Sequence, residues 1–152
     1  MGKNKLFFLA CSFALTACKF SHSDNLDQSL KIEGTWRLIS ATTVDHGKSI
    51  ITDFTKDQQM IKIVNKSHFS FLRHNLPGNI DSVSRFDAGG GRYELKGDAY
   101  TEHLDFYQDK NWEGKTFNFK IRFEGDTLIQ TGTEKVPESG IDRVITERYL
   151  KL

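Results

Sequence analysis

Only two prolines and two cysteines occur in 152 residues. So little proline excludes a polyproline spacer, and two cysteines exclude a disulfide-built scaffold. Neither sign of charge dominates, with 21 Lys and Arg against 20 Asp and Glu. There is no basic stripe for a nucleic acid and no acidic tail, so no nucleic-acid partner is expected. No apolar run reaches the ~20 residues that a membrane-spanning helix needs. Long patterns of helical period are missing, and no segment repeats. Present instead are twelve phenylalanines, aromatics at 12 % of the chain, and frequent Thr and Ser. That is core material for one domain, with a composition that leans all-β.

The first 17 residues are of another kind. Lys3 and Lys5 precede a short apolar stretch, Leu6 to Leu15. This is the layout of a secretory signal peptide. It ends in Leu15-Thr16-Ala17-Cys18, which resembles the lipobox of bacterial lipoproteins. The resemblance implies cleavage before Cys18, lipidation of that cysteine, and a membrane partner reached through its acyl chains. Cys11 would leave with the signal, so no thiol would remain for a disulfide, a metal or nucleophilic catalysis. Lys3 and Lys5 would leave with it too, for a mature balance of −1. Residues 18–30 are polar and aperiodic and read as a tether of at most ~45 Å. Lys19 is not the aspartate that resembles an inner-membrane retention signal, which points to the outer membrane of the cell envelope.

From Lys31 to Leu152 the pattern alternates with period two and is broken by turn residues. Gly34 to Val44, Ile61 to Asn65, His68 to Arg73, Arg92 to Leu95, Ala99 to Tyr107, Thr116 to Phe123, Thr127 to Thr133 and Arg143 to Leu150 predict about eight strands. Asp45-His46-Gly47-Lys48, Lys96-Gly97-Asp98 and Glu124-Gly125-Asp126 are tight turns between them. The stretch 51–60 reads as a loop or one short helix, near residues 52–60. Gly89-Gly90-Gly91 reads as a bulge or a mobile loop. One apolar face per strand, joined by short sequential turns, predicts an up-and-down antiparallel β-barrel, because closure removes exposed edges.

Gly34-Thr35-Trp36 opens the first strand and Arg148 sits in the last. Together they resemble the lipocalin superfamily, whose Gly-x-Trp begins strand one and whose late arginine packs across the indole. Gln59 to Phe71, Gly89 to Tyr93 and Tyr100 to His103 resemble the lipocalin-like domains of small bacterial lipoproteins. The Thr-Asp-Tyr motif and disulfide of animal lipocalins are absent. The resemblance implies a barrel over residues 31–152, with Arg148 or Arg143 covering Trp36.

On the strand Tyr100 to Tyr107, alternation puts Tyr100, Glu102, Leu104 and Phe106 on one face and His103 on the other. Glu102 then points inward and needs a partner. Arg122, Arg148, Arg92 or Tyr93 are the candidates. Trp36, Tyr93, Tyr100, Glu102, Arg122 and Arg148 are the candidate ligand-binding residues. The five histidines lack metal-ligand spacing, no serine has a nucleophile-elbow context, and no cofactor is implied. The expected function is non-enzymatic: binding of a small, largely apolar molecule in the cell envelope. The alternative is a packed barrel that contacts another envelope protein through its loops, Pro77 to Gly91 and Gln108 to Lys115. Interior volume separates the two. Phe117, Phe119, Ile121, Phe123, Leu104 and Phe106 could fill a narrow barrel, whereas ~300 Å3 of open space favours binding.

Overall fold

The alternating pattern gives strands from end to end. The computed structural model describes residues 30–76 and 86–152. The signal segment, Cys18, the tether as far as residue 29, and residues 77–85 of the long connection lie outside the described residues. In chain order the strands are β1 (Gly34–Asp45), β2 (Lys48–Asp53), β3 (Gln58–Val64), β4 (His68–Asn75), β5 (Phe86–Lys96), β6 (Ala99–Tyr107), β7 (Thr116–Glu124), β8 (Thr127–Val136) and β9 (Ile141–Lys151). A 3-10 turn at Pro137–Ser139 joins the last two.

Each strand from β3 to β9 pairs antiparallel with the next, and β9 returns to β1, so eight strands close into a barrel. The ninth, β2, shares one edge of β1 with β3. β3 takes Gly34–Arg37 of that edge and β2 takes Ser40–Asp45. The short helix expected near residues 52–60 is therefore corrected to strand, bend and strand. Ile50, Ile51 and Thr52 are β-branched and pair with Thr43, Thr42 and Ala41. The bend is held where the Asp53 carboxylate accepts from the Thr55 amide at 2.8 Å and its hydroxyl at 2.6 Å. Phe54 donates its amide to the Ile39 carbonyl at 2.9 Å and buries its ring.

Two bulges reset which side chains face inward. In β1 the register shifts between Leu38 and Ser40, so the inward set is Trp36 and Leu38, then Ala41. In β6, Leu104 and Asp105 together stand opposite Gly91. Gly91 is required there: a Cβ would lie 1.9 Å from the His103 carbonyl oxygen. The Arg92 guanidinium and amide hold the Asp105 carboxylate at 2.9–3.1 Å and keep it acidic, near about 2. The glycine run is thus a bulge within β5 and β6. It corrects the inward placement of Phe106, which is 67 % exposed, and turns Tyr107 inward in its stead.

One end of the barrel is packed solid. Trp36, Val64, Phe69, Tyr100, Ile121, Leu128 and Tyr149 are all buried there. The Trp36 indole donates to the Ile32 carbonyl at 2.7 Å and lies 5.9 Å from Phe123. The cation over its ring is Lys151, with Nζ 5.4 Å from the centroid. This corrects the expected arginine. Arg148 is exposed and bonded to Glu124, and Arg143 pairs with Glu134.

Candidate functional site

Above the packed end the barrel is hollow. A cavity of about 350 Å3 opens there, with Leu38, Phe54, Met60, Phe71, Leu104 and Trp112 among its walls. Glycines make room for the rings of its walls. At Gly89 a Cβ would meet Phe71 at 2.7 Å and Tyr107 at 2.9 Å; at Gly132 it would meet Phe119 at 2.5 Å. Trp112, from the turn before β7, packs tilted against Phe117 at 5.6 Å and edge-on to Tyr107 at 6.4 Å. A second recess, of about 620 Å3, lies between Leu30–Glu33 and the strand residues Tyr93, Leu95 and Lys151.

The cavity floor is polar. Lys62 of β3 extends its ammonium to Glu102 of β6 at 2.7 Å and to the side-chain oxygen of Gln130 of β8 at 3.0 Å. The Lys62 and Glu102 side chains are only 5 % and 9 % exposed. Three rings surround the ammonium at cation–π distance: Tyr149 at 5.3 Å, Phe69 at 5.6 Å and Tyr100 at 5.9 Å. Burying a lone ammonium or carboxylate is costly, and here each charge answers the other. The expected partner of Glu102, one of Arg122, Arg148, Arg92 or Tyr93, is therefore corrected to Lys62. Lys62 shares the inward parity of Met60 and Val64.

Glu147 of β9 enters the wall beside this pair. Its carboxylate accepts from the Tyr149 hydroxyl at 2.9 Å. Burial pushes its pKa up to about 7. Lys62 opposes that shift, while Glu134 and Glu102 add to it. Burial and the Glu147 and Glu102 carboxylates push the Tyr149 hydroxyl well above its ordinary value, so Tyr149 stays a neutral donor. Nearer the mouth, Arg143 meets Glu134 at 2.6 Å and Arg73 meets Asp87 at 3.3 Å. Tyr107 is raised to about 12 by burial and by Asp87.

Of the six residues singled out as ligand-binding, Glu102 lines the cavity. Trp36 and Tyr100 belong to the packed end, where the Tyr100 hydroxyl is buried without a hydrogen-bond partner among the described residues. Tyr93 stacks on Tyr100 at 5.4 Å and donates its hydroxyl to the Asn65 carbonyl at 2.7 Å. Arg122 and Arg148 are exposed on the outer wall and share Glu124. The sequence reading missed Lys62, Gln130 and Glu147. Each is a polar residue at an inward position of a strand whose neighbours two residues away are apolar or glycine.

The chain matches no protein-family model and no curated protein. Among solved structures it is similar to a lipocalin-like protein from Bacteroides uniformis, at 19 % identity and a TM-score of 0.48, covering 79 % of this chain and 97 % of that one. It is also similar to an uncharacterized protein from Bacteroides eggerthii, at 16 % identity and a TM-score of 0.44, covering 79 % and 98 %.

Proposed function

We propose that this chain is a non-enzymatic, lipid-anchored binding module of the cell envelope that takes a small, largely apolar molecule into its barrel. The observation that carries this reading is the cavity of about 350 Å3, which falls within the size range of small-molecule sites. A hollow interior is not needed for stability. Empty apolar space forgoes dispersion contacts, and filling it would strengthen the fold. Here Phe106 turns outward, away from that space. Eleven apolar or aromatic side chains line the space, and seven charged ones, most of them already paired, stand at its floor, wall and mouth, where they can orient a bound molecule. The alternative, a solidly packed interaction subunit, has less in its favour because the interior is open.

In this reading Cys18 carries the acyl chains and the tether holds the barrel away from the lipid, at the outer membrane. Two or more acyl chains suffice for stable anchoring. Native mass spectrometry of the mature chain, purified as a Cys18→Ser variant, tests the binding. A co-purified mass of a few hundred daltons that leaves on denaturation is expected. A barrel that carries no adduct and takes up no apolar probe contradicts the reading. Incorporation of labelled fatty acid into the wild type and its loss in Cys18→Ser is the expected outcome for the anchor.

A further inference from the structure

We propose that the ligand is an amphipathic amine, an apolar body with a protonated amino head, and that the Glu147 carboxylate receives that head inside the barrel. This inference rests on the binding reading above and names the chemistry of the same cavity.

Charge pairing in the cavity leads to it. Three cations line the space, Lys62, Arg73 and Arg143, and each already has a carboxylate: Glu102 at 2.7 Å, Asp87 at 3.3 Å and Glu134 at 2.6 Å. A fourth carboxylate, Glu147, lines the same space. Among the described residues no cation lies within 4 Å of it, and its one hydrogen bond comes from the Tyr149 hydroxyl. The ammonium of Lys62 is committed to Glu102 and Gln130. Among the described residues the cavity therefore holds one more acid than base. At its mouth the buried Asp87 Oδ1 is a further acceptor without a partner among the described residues. An anionic head would meet this excess of acid and find no free cation among the described residues. An uncharged alcohol would leave Glu147 without a counter-charge. An ammonium supplies both a charge and N–H donors to a carboxylate in a poorly solvated wall, where such contacts are strongest.

The surroundings of Glu147 set its response to pH. Facing it are Lys62 from β3, Glu102 from β6, Glu134 and Gln130 from β8, and Tyr149 from its own strand; Ala41 and Thr43 of β1 bring no charge. With a pKa of about 7, Glu147 is largely protonated at pH 5 and largely ionised at pH 8. An alkyl amine stays protonated across that range, as lysine does. No histidine lines the cavity among the described residues. The ionised carboxylate is the form that makes the contact, so between pH 8 and pH 5 an amine loses the advantage that this contact gives it and keeps only its apolar binding.

The test uses the mature chain from residue 18, with Ser at that position, loaded with the uncharged fluorophore N-phenyl-1-naphthylamine. Octylamine, octanol and octanoate then compete for it at pH 5 and pH 8. The expected result at pH 8 is displacement by octylamine at concentrations ~tenfold or more below the other two, the scale of one charge-assisted contact. That advantage should vanish at pH 5. Glu147→Gln, which keeps an acceptor for Tyr149, should remove both the preference and its pH dependence. If that variant does not fold, the wild-type series at two pH values decides by itself. Equal or better displacement by octanoate or octanol at pH 8, or an octylamine profile flat from pH 5 to pH 8, overturns the inference and leaves the binding reading standing. A chain that takes up neither the fluorophore nor octylamine, by fluorescence and by calorimetry, overturns both.

Discussion

Replacing Lys62 by methionine tests whether the polar floor is a true buried ion pair. The substitution keeps most of the stem and removes the ammonium. Glu102 is then left with a side chain only 9 % exposed and no cation at 2.7 Å. Gln130 loses its donor at 3.0 Å as well. Removing one partner of a buried pair costs about 3–5 kcal/mol, because the remaining charge has lost both water and counter-charge. Glu102→Gln should cost less, about 1–3 kcal/mol. It leaves the ammonium with Gln130 and with three aromatic rings at 5.3–5.9 Å. The double variant Lys62→Met/Glu102→Gln removes both charges and should be more stable than Lys62→Met alone. The two single losses should then fall short of additivity by about 2 kcal/mol or more. Urea unfolding followed by tryptophan fluorescence measures all four proteins. A Lys62→Met protein within about 1 kcal/mol of wild type, or additive losses, would refute the reasoning.

Three further outcomes are expected. Glu147 has a folded pKa of about 7, raised from 4.5, so ionising it costs stability that is intact below pH 4.5 and is lost as pH rises through 7. Glu147→Gln should therefore be the more stable protein at pH 8 by about 2–3 kcal/mol, and by little at pH 4.5, in denaturant titrations at the two pH values. Trp36→Ala should lose about 3–5 kcal/mol in urea unfolding and couple by about 0.5–1 kcal/mol to Lys151→Ala, while adding simply to Arg148→Ala. Gly91→Ala drives a Cβ to 1.9 Å from backbone and should cost about 3 kcal/mol or more. Gly47→Ala, which meets nothing within 4 Å at φ +77°, should cost only the left-handed strain of about 1–2 kcal/mol; thermal melts of the pair check the contrast.

The barrel was legible because alternation is a local property. In β7, Phe117, Phe119 and Ile121 are buried between exposed Thr116, Asn118 and Lys120, as their order predicts. Glu102 was legible for the same reason, and so was the outward turn of His103. Alternation failed at the two bulges, where one extra residue reverses every later side chain. Nothing in Leu104-Asp105-Phe106 reveals that reversal. The cause lies in Gly91 across the sheet. The partners of Glu102 and Trp36 were illegible for a related reason. Lys62 is 40 residues from Glu102, and only closure of the barrel brings them together. The stretch 51–60 was misread because β2 has an apolar side chain on each face. Ile50 and Ile51 are both exposed, so neither face marks a core. Glu147 could have been found as the charged member of the inward series Ile145, Glu147, Tyr149.

A variant that plugs the barrel tests the account most directly. Ala41 is 6 % exposed and borders the cavity, paired across the sheet with Glu147. Ala41→Phe places a ring into open space, so the fold should tolerate it while the ligand volume is lost. The measurement is a fluorescence titration of wild type and Ala41→Phe with N-phenyl-1-naphthylamine, alongside their thermal melts. The account predicts saturable one-site binding to the wild type and none to a variant that still melts cooperatively. Undiminished binding to a folded Ala41→Phe would place the ligand outside the barrel and contradict the account.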